Sequence, residues 1–120
     1  MRNLESKLQI NCVRWFDLAY PKYRQLLFAV PNGHVRNKIT ASICKAEGVR
    51  AGVADMFLSI SHPLWCGLNI EFKVGRGKQT DSQVSFQKAV EGMNYRYEVV
   101  SDFDSFKDLI ENYITTTNMK

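Results

Sequence analysis

Two acidic residues and a lysine occupy neighbouring segments whose patterns predict consecutive strands. In residues 67–74, apolar and polar side chains alternate, so Glu71 and Lys73 share one face of the predicted strand. Residues 53–60 predict the preceding strand, and Asp55 lies there among the apolar residues Val53, Ala54, Met56, Phe57 and Leu58. A carboxylate is unusual there, and its burial is costly unless it is paired or binds a cation. If the two strands pair, we expect Asp55, Glu71 and Lys73 to meet on one face.

Two carboxylates beside an ammonium group suit metal-assisted phosphate chemistry. Close carboxylates repel each other unless a proton or a divalent cation lies between them. Oxygen ligands of this kind favour Mg²⁺ or Mn²⁺, which activates water and neutralises charge on a phosphoryl oxygen. Lys73 could orient the water, help to deprotonate it or stabilise the transition state. The residues alone leave two alternatives open: a solvated polar strand face and a structural Asp–Lys–Glu salt-bridge cluster.

The elements that must position these residues follow from hydrophobic periodicity. The 120 residues predict a single domain spanning positions 1–120. The expected order is αβαββαβα, a mixed α/β domain with a central sheet flanked by helices. The predicted bounds are helix 3–19, strand 26–30, helix 36–47, strands 53–60 and 67–74, helix 80–93, strand 95–100 and helix 102–115. The inward positions are predicted as Leu4, Leu8, Cys12, Trp15 and Ala19 in the first helix, Phe86, Ala89, Val90 and Met93 in the third, and Phe103, Phe106, Leu109, Ile110 and Tyr113 in the last.

Composition narrows the class of protein. The net charge of +4 suits an anionic partner such as a phosphate backbone. No run of 18 apolar residues is present, so no membrane span is expected. Three cysteines without a Cys-x-x-Cys pair predict reduced thiols and no structural zinc. The N-terminus lacks an apolar signal core, so we expect a cytoplasmic protein.

The acidic residues carry a family resemblance. Asp55, followed by Glu71-Phe72-Lys73, resembles the Asp…Glu-x-Lys signature of the restriction-endonuclease-like PD-(D/E)xK superfamily. The flanking segments resemble the virus-type replication-repair nuclease (VRR-NUC) domain from about Glu5 to Ile114. The segments that carry this resemblance are Gly48–Met56, Asn69–Lys73 with the Gly-rich turn and Gln83 after it, Pro31-Asn32-Gly33 with Arg36, and Gly92–Phe106. One departure is Ala54, where the family usually has proline. The match fits short stand-alone members typical of phage genomes.

The resemblance implies roles for the central residues. It implies that Asp55 and Glu71 are ligands for Mg²⁺ or Mn²⁺, and that the backbone carbonyl of Phe72 is a further ligand. Lys73 becomes a catalytic residue. Glu5 is implied as a catalytic residue or an additional ligand on the first helix.

Two of the implied residues have local structural alternatives. Glu5 could simply interact with the positive N-terminal end of its helix. Gln83, implied as catalytic, also completes a capping box that starts at Thr80. Both interpretations of Gln83 can hold together, because a side chain in a first helical turn can face a site.

Residues Arg36, Asn32, Arg76 and Lys78 are candidates for DNA binding. The Arg36 guanidinium suits phosphate oxygens, whereas Asn32-Gly33 is also typical of a tight turn. His34 and His62 are isolated and are not expected to bind metal.

The resemblance implies a metal-dependent DNA endonuclease acting on branched DNA, similar to Holliday-junction resolvases, and a homodimer. The alternatives are a nuclease that acts on flaps, nicks or ends, and a catalytically silent DNA-binding module.

Overall fold

The computed structural model describes residues 2–31 and 38–118. Its helices are α1 (Arg2–Ala19), α2 (Lys38–Ala46), α3 (Asp81–Gly92) and α4 (Phe103–Asn118), and its strands are β1 (Leu27–Ala29), β2 (Met56–Leu58), β3 (Leu68–Phe72) and β4 (Arg96–Val100). This order confirms the predicted α/β fold class. A 3₁₀ helix over Pro21–Leu26, which the sequence analysis did not predict, follows α1.

The four strands form one mixed sheet in the order β1-β2-β3-β4. The first three strands are antiparallel, and β3 and β4 are parallel. A parallel pair needs a long crossover connection, which α3 provides here. None of the described helices is long and apolar enough to cross a membrane.

One face of the sheet carries the hydrophobic core, beneath α1 and α4. Cys12 and Phe16 of α1 are fully buried there. The Phe72 ring of β3 lies 6.0 Å from the ring of Phe106 in α4. The Tyr113 hydroxyl donates to the Ile60 carbonyl at 2.7 Å, which ties α4 to the segment after β2. Glu71 lies on the other face of the sheet, where Gln83 of α3 contacts it.

Several inward positions predicted for the helices are wrong. Leu4 is about half exposed and Ala19 is exposed, because the core stripe of α1 centres on Cys12 and Phe16. In α3, Met93 is 71% exposed because it follows the last helical residue. Ala89 is also exposed, because Phe86 makes the ring contact with Tyr97 of the sheet. The inward face predicted for α4 is confirmed.

The strand predicted for residues 26–30 is shorter and less buried than expected. As an edge strand, β1 has a partner on one side only, and Phe28 is 45% exposed. The strand predicted for residues 53–60 is likewise reduced to Met56–Leu58. It begins only at Met56. Just before it, the Asp55 side chain takes the place of a backbone carbonyl and accepts the N–H of Phe72 in β3.

The loop before β2 is packed directly against the start of α3. Gly52 has a φ of +86°, and a Cβ added there would lie 2.5 Å from the Ser82 backbone. Gly48 also has a positive φ, of +102°, yet a Cβ there would contact nothing within 4 Å. Glycine at position 52 therefore allows the close approach that fixes the start of α3 relative to Asp55.

We predict that Gly52→Ala costs about 2–4 kcal/mol of unfolding free energy, since it combines backbone strain with overpacking. Gly48→Ala is the matched control and should lose only the strain, about 1–2 kcal/mol. Urea denaturation measures both values. Equal losses for the two variants would contradict the close packing of Gly52 on Ser82.

Candidate active site

Asp55 and Glu71 come together where β2 ends beside β3. Met56 pairs with Ile70, and continuing this antiparallel register by one residue sets Asp55 opposite Glu71. Asp55 Oδ2 accepts the Phe72 backbone N–H at 2.7 Å, which fixes its carboxylate on β3. The N–H and C=O of one strand residue point to the same side. The Phe72 carbonyl therefore points toward Asp55, while its ring lies in the core.

The Glu71 carboxylate is buried and held by a donor on each oxygen. The residue is 1% exposed. Gln83 Nε2 donates to Oε2 at 2.7 Å, and the Tyr97 hydroxyl donates to Oε1 at 3.1 Å. A solvated polar strand face, one of the alternatives from the sequence, does not describe this carboxylate. Its orientation is fixed by α3 on one side and β4 on the other.

Gln83 acts both as a helix cap and as a partner of Glu71. Its backbone N–H donates to Thr80 Oγ1 at 3.2 Å, and its Oε1 accepts the Thr80 N–H at 2.8 Å, which completes the capping box. Its Nε2 remains for Glu71 Oε2. The cap predicted from the sequence is therefore confirmed, and Gln83 also contacts Glu71; its catalytic role stays a prediction.

Lys73 lies beside Glu71 without forming a close ion pair. Its Nζ is 3.8 Å from Glu71 Oε2, and its side chain is 16% exposed. A structural salt-bridge cluster would gain most from short contacts that satisfy the buried charges. Lys73 also lines the cavity described below.

Glu5 joins the site from the first turn of α1. Its Oε2 accepts the Val74 backbone N–H at 3.4 Å, just beyond the end of β3. A Cβ on Gly77 would lie 3.4 Å from Lys73 Cδ and 3.6 Å from Glu5 Oε2. The turn after β3 therefore lies against both side chains. Glu5 thus faces the site, in addition to its position near a helix N-terminus.

A cavity of about 530 Å³ opens over these residues. One wall is a face of α1, and the other carries the acidic residues. The lining residues are Glu5, Ser6, Gln9, Ile10, Val13, Arg14, Asp55, Glu71, Lys73 and Gln83. All five side chains predicted for the metal and catalytic positions line this one space.

The predicted DNA-binding residues are only partly described. Arg76 and Lys78 are exposed and flank Gly77, but neither of them lines the cavity. Asn32 and Arg36 lie outside the described residues.

Tyr97 and Arg14 belong to this region and were missed by sequence reasoning. Tyr97 also accepts from Gln79 Nε2 at 3.3 Å, and Gln79 donates in turn to Gln87 Oε1 at 2.9 Å. Gln87 is half-buried in this chain of contacts. Alternation along β4 puts Tyr97 on one face, but the register with β3 that sets it beside Glu71 is not visible in the sequence.

Repulsion between carboxylates shapes the electrostatics of the site. Burial, followed by the nearby Asp55 carboxylate, raises the pKa of Glu71 to about 7, and Glu5 adds to this effect. The Tyr97 hydrogen bond and Lys73 oppose the increase. Burial and the Glu71 charge also raise the pKa of Tyr97, which keeps its hydroxyl a donor. The Lys73 ammonium group therefore compensates only part of the repulsion between the carboxylates.

The donor set fits a hard divalent cation. Within the described residues, no group of three His, Cys, Asp or Glu side chains is arranged to hold a metal ion. Mg²⁺ commonly uses one or two carboxylates and keeps several waters. Asp55, Glu71 and the Phe72 carbonyl match this pattern, with Glu5 close enough to act through water.

We predict that Glu71→Gln stabilises the metal-free protein at alkaline pH. The pKa of Glu71 is higher in the folded than in the unfolded state. The wild type therefore keeps its full stability below about pH 4.5 and loses the part that depends on protonated Glu71 as the pH rises to about 7. The advantage of the variant should therefore grow across that interval by about 3 kcal/mol. Urea denaturation in EDTA at several pH values measures it. The exposed control Glu47→Gln should show no such trend; a pH-independent effect of Glu71→Gln would contradict the buried charge.

Comparison with known proteins gives a structural match. No protein-family model matches the chain, and no curated protein matches it. A solved structure described as a "VRR_NUC domain protein" superimposes with a TM-score of 0.80. The match covers 93% of this chain and 88% of that one, at 23% sequence identity. The chain therefore has the fold of a VRR-NUC domain protein, and the predicted resemblance is confirmed at the level of the fold.

Proposed function

We propose that the chain is a Mg²⁺- or Mn²⁺-dependent deoxyribonuclease that hydrolyses phosphodiester bonds at the cavity between α1 and β3. The observation that carries the proposal is the buried Glu71 carboxylate, set opposite Asp55 and next to the Lys73 ammonium group. Binding DNA alone would not need two carboxylates beside an ammonium group at an open cavity. The VRR-NUC fold and the net charge of +4 support the same function.

Each side chain has a task that follows from its contacts. Asp55 and Glu71 would hold the cation, which supplies Lewis-acid stabilisation of phosphoryl charge and activation of water when bound. Gln83 and Tyr97 fix the orientation of Glu71 by occupying one lone pair on each oxygen. Lys73 lies where it can orient the attacking water or stabilise negative charge on the phosphoryl group.

We predict that the wild type nicks DNA only with Mg²⁺ or Mn²⁺, and that EDTA abolishes cleavage. Asp55→Asn and Lys73→Met should each lower kcat by about 100-fold or more, since each removes charge from the reacting centre. Lys88→Gln, an exposed lysine of α3 outside the cavity, is the matched control and should cut normally. Cleavage by Asp55→Asn at the wild-type rate would show that the site is wrongly assigned. Salt-sensitive DNA binding by a wild type that never cuts would support a binding module instead.

For the substrate, we propose branched DNA, cut by a homodimer. The VRR-NUC resemblance supports this choice. A symmetric dimer would bring two cavities to one branch point, whereas the described part of one chain forms a single such cavity around Asp55 and Glu71. Large apolar side chains that could serve an interface are exposed, among them Leu18, Leu64 and Met93.

We predict that a synthetic four-way junction is cut at least about tenfold faster than a flap or a plain duplex, and that sedimentation gives a dimer mass. A rate difference of that size corresponds to about 1.4 kcal/mol of transition-state discrimination. Equal cleavage of the three substrates would remove the branched-DNA proposal while leaving the nuclease assignment intact. A monomer that cuts junctions symmetrically would remove the dimer proposal.

A further inference from the structure

Helix α1 has a second functional face, separate from its core face. Glu5, Gln9, Val13 and Asp17 recur every four residues and therefore lie along one side of the helix. The first three line the cavity over Asp55 and Glu71. The fully buried Cys12 and Phe16 lie on the neighbouring side, and Val13 also packs against the core. One helix thus packs the core and walls the site.

The cavity-lining face continues beyond the site into a second cavity of about 470 Å³. Val13 lines both cavities, so they adjoin along α1. We call the two together the α1 groove. The second cavity is lined by Val13, Asp17, Pro21, Lys22, Arg24, Gln25 and Leu27.

Charge is separated along the α1 groove. The carboxylates of Glu5, Asp55 and Glu71 lie in the first cavity. Arg14 lines that cavity too, yet within the described residues its guanidinium has no hydrogen bond or ion pair. Acidic side chains nearby would ordinarily attract it. Arg14 is exposed, so its guanidinium is accessible to an anion that enters from outside.

The second cavity adds two more cations. Lys22 extends over the Tyr23 ring, with its Nζ 5.6 Å from the ring centroid. Arg24 is paired with Asp17 at 3.4 Å, and its side chain is 73% exposed. An ion pair this exposed contributes little to stability. The guanidinium can therefore bind a phosphate at small cost, with Asp17 as its competitor.

We propose that the α1 groove binds the substrate strand that leads away from the scissile phosphate, with Arg14 as the nearer phosphate contact and Lys22 and Arg24 as the farther ones. This inference rests on the proposed function. Exposed Ile10 and half-buried Val13 line the groove together with Arg14 and offer apolar contacts to sugars, while the cations match the phosphates.

The length of the groove sets the substrate requirement. Glu5 and Arg14 are nine residues apart, about 13 Å along the helix axis. The ~3.4 Å spacing of phosphates in one strand is measured along the duplex axis and is longer along the strand itself, so this distance spans about two to four phosphates. A strand that ends within about two nucleotides of the scissile bond would therefore not reach Arg14.

The experiment measures binding of fluorescein-labelled DNA by anisotropy, from about 50 to about 200 mM NaCl, with all variants in the non-cutting Asp55→Asn background. Arg14→Gln should weaken binding about fivefold or more and reduce the salt slope by about 1. Asp17→Asn should tighten binding by about threefold, because it removes an anion and releases Arg24. Lys88→Gln, which loses the same charge outside the groove, should stay within about twofold of the parent.

A second test varies how far the DNA extends from the cleavage site. With DNA that ends about two nucleotides from the cleavage site on the groove side, Arg14→Gln and Asp17→Asn should lose their effects. Both polarities are tested, and one must show this behaviour. The proposal is overturned if Arg14→Gln and Lys88→Gln behave alike, or if Asp17→Asn weakens binding.

Failure of the nuclease proposal gives a different pattern. If the otherwise wild-type chain never cuts DNA but binding still depends on Arg14 and Asp17 as stated, the groove stands as a DNA-binding surface and the catalytic proposal falls. If the wild type cuts and neither variant changes binding, the catalytic proposal stands and the groove falls.

Discussion

The structure of the site depends on one buried carboxylate, that of Glu71. A charge inside the protein is tolerated only where donors and counter-charges surround it. Gln83, Tyr97 and Lys73 supply these from α3, β4 and β3 itself. The same groups hold the carboxylate in one orientation, and Asp55 opposes it with like charge. Stability and the proposed cation binding would therefore make opposite demands on this position: burial favours a protonated Glu71, whereas a divalent ion would favour its carboxylate.

Helix α3 connects the folding of the chain to the geometry of the site. Its capping box places Gln83 Oε1 on the Thr80 N–H, which leaves only Nε2 for Glu71. Gly52 lets the loop before Asp55 lie directly on Ser82. The segment that carries one acid is thereby fixed to the helix that holds the other. A shift of the helix start by one residue would separate Gln83 from Glu71. The residues that begin α3 therefore also set the geometry of the site.

Much of the fold and the central acidic pair could be predicted from the sequence, because both depend on short-range patterns. Strand alternation set Glu71 and Lys73 on one face, and the apolar surroundings of Asp55 marked it as unusual. The extent of β2 was overestimated because its apolar run continues past the point where the Asp55 side chain replaces a ladder contact. Tyr97 was missed because it reaches Glu71 only through the parallel register of β3 and β4. Such a register joins residues 26 positions apart and leaves no local pattern.

The two faces of α1 illustrate the same limit and extend the site beyond its acids. A helix with one apolar stripe predicts one buried face, and the rest of its surface reads as solvent-exposed. Here the stripe fixes only the rotation of α1 on the sheet. That rotation turns Glu5, Val13 and Arg14 toward the cavity. Packing of Cys12 and Phe16 in the core thus determines which polar residues of α1 line the cavity. Since a 3.6-residue repeat couples the two faces rigidly, a core substitution that rotated α1 would move the acidic and basic ends of the groove together.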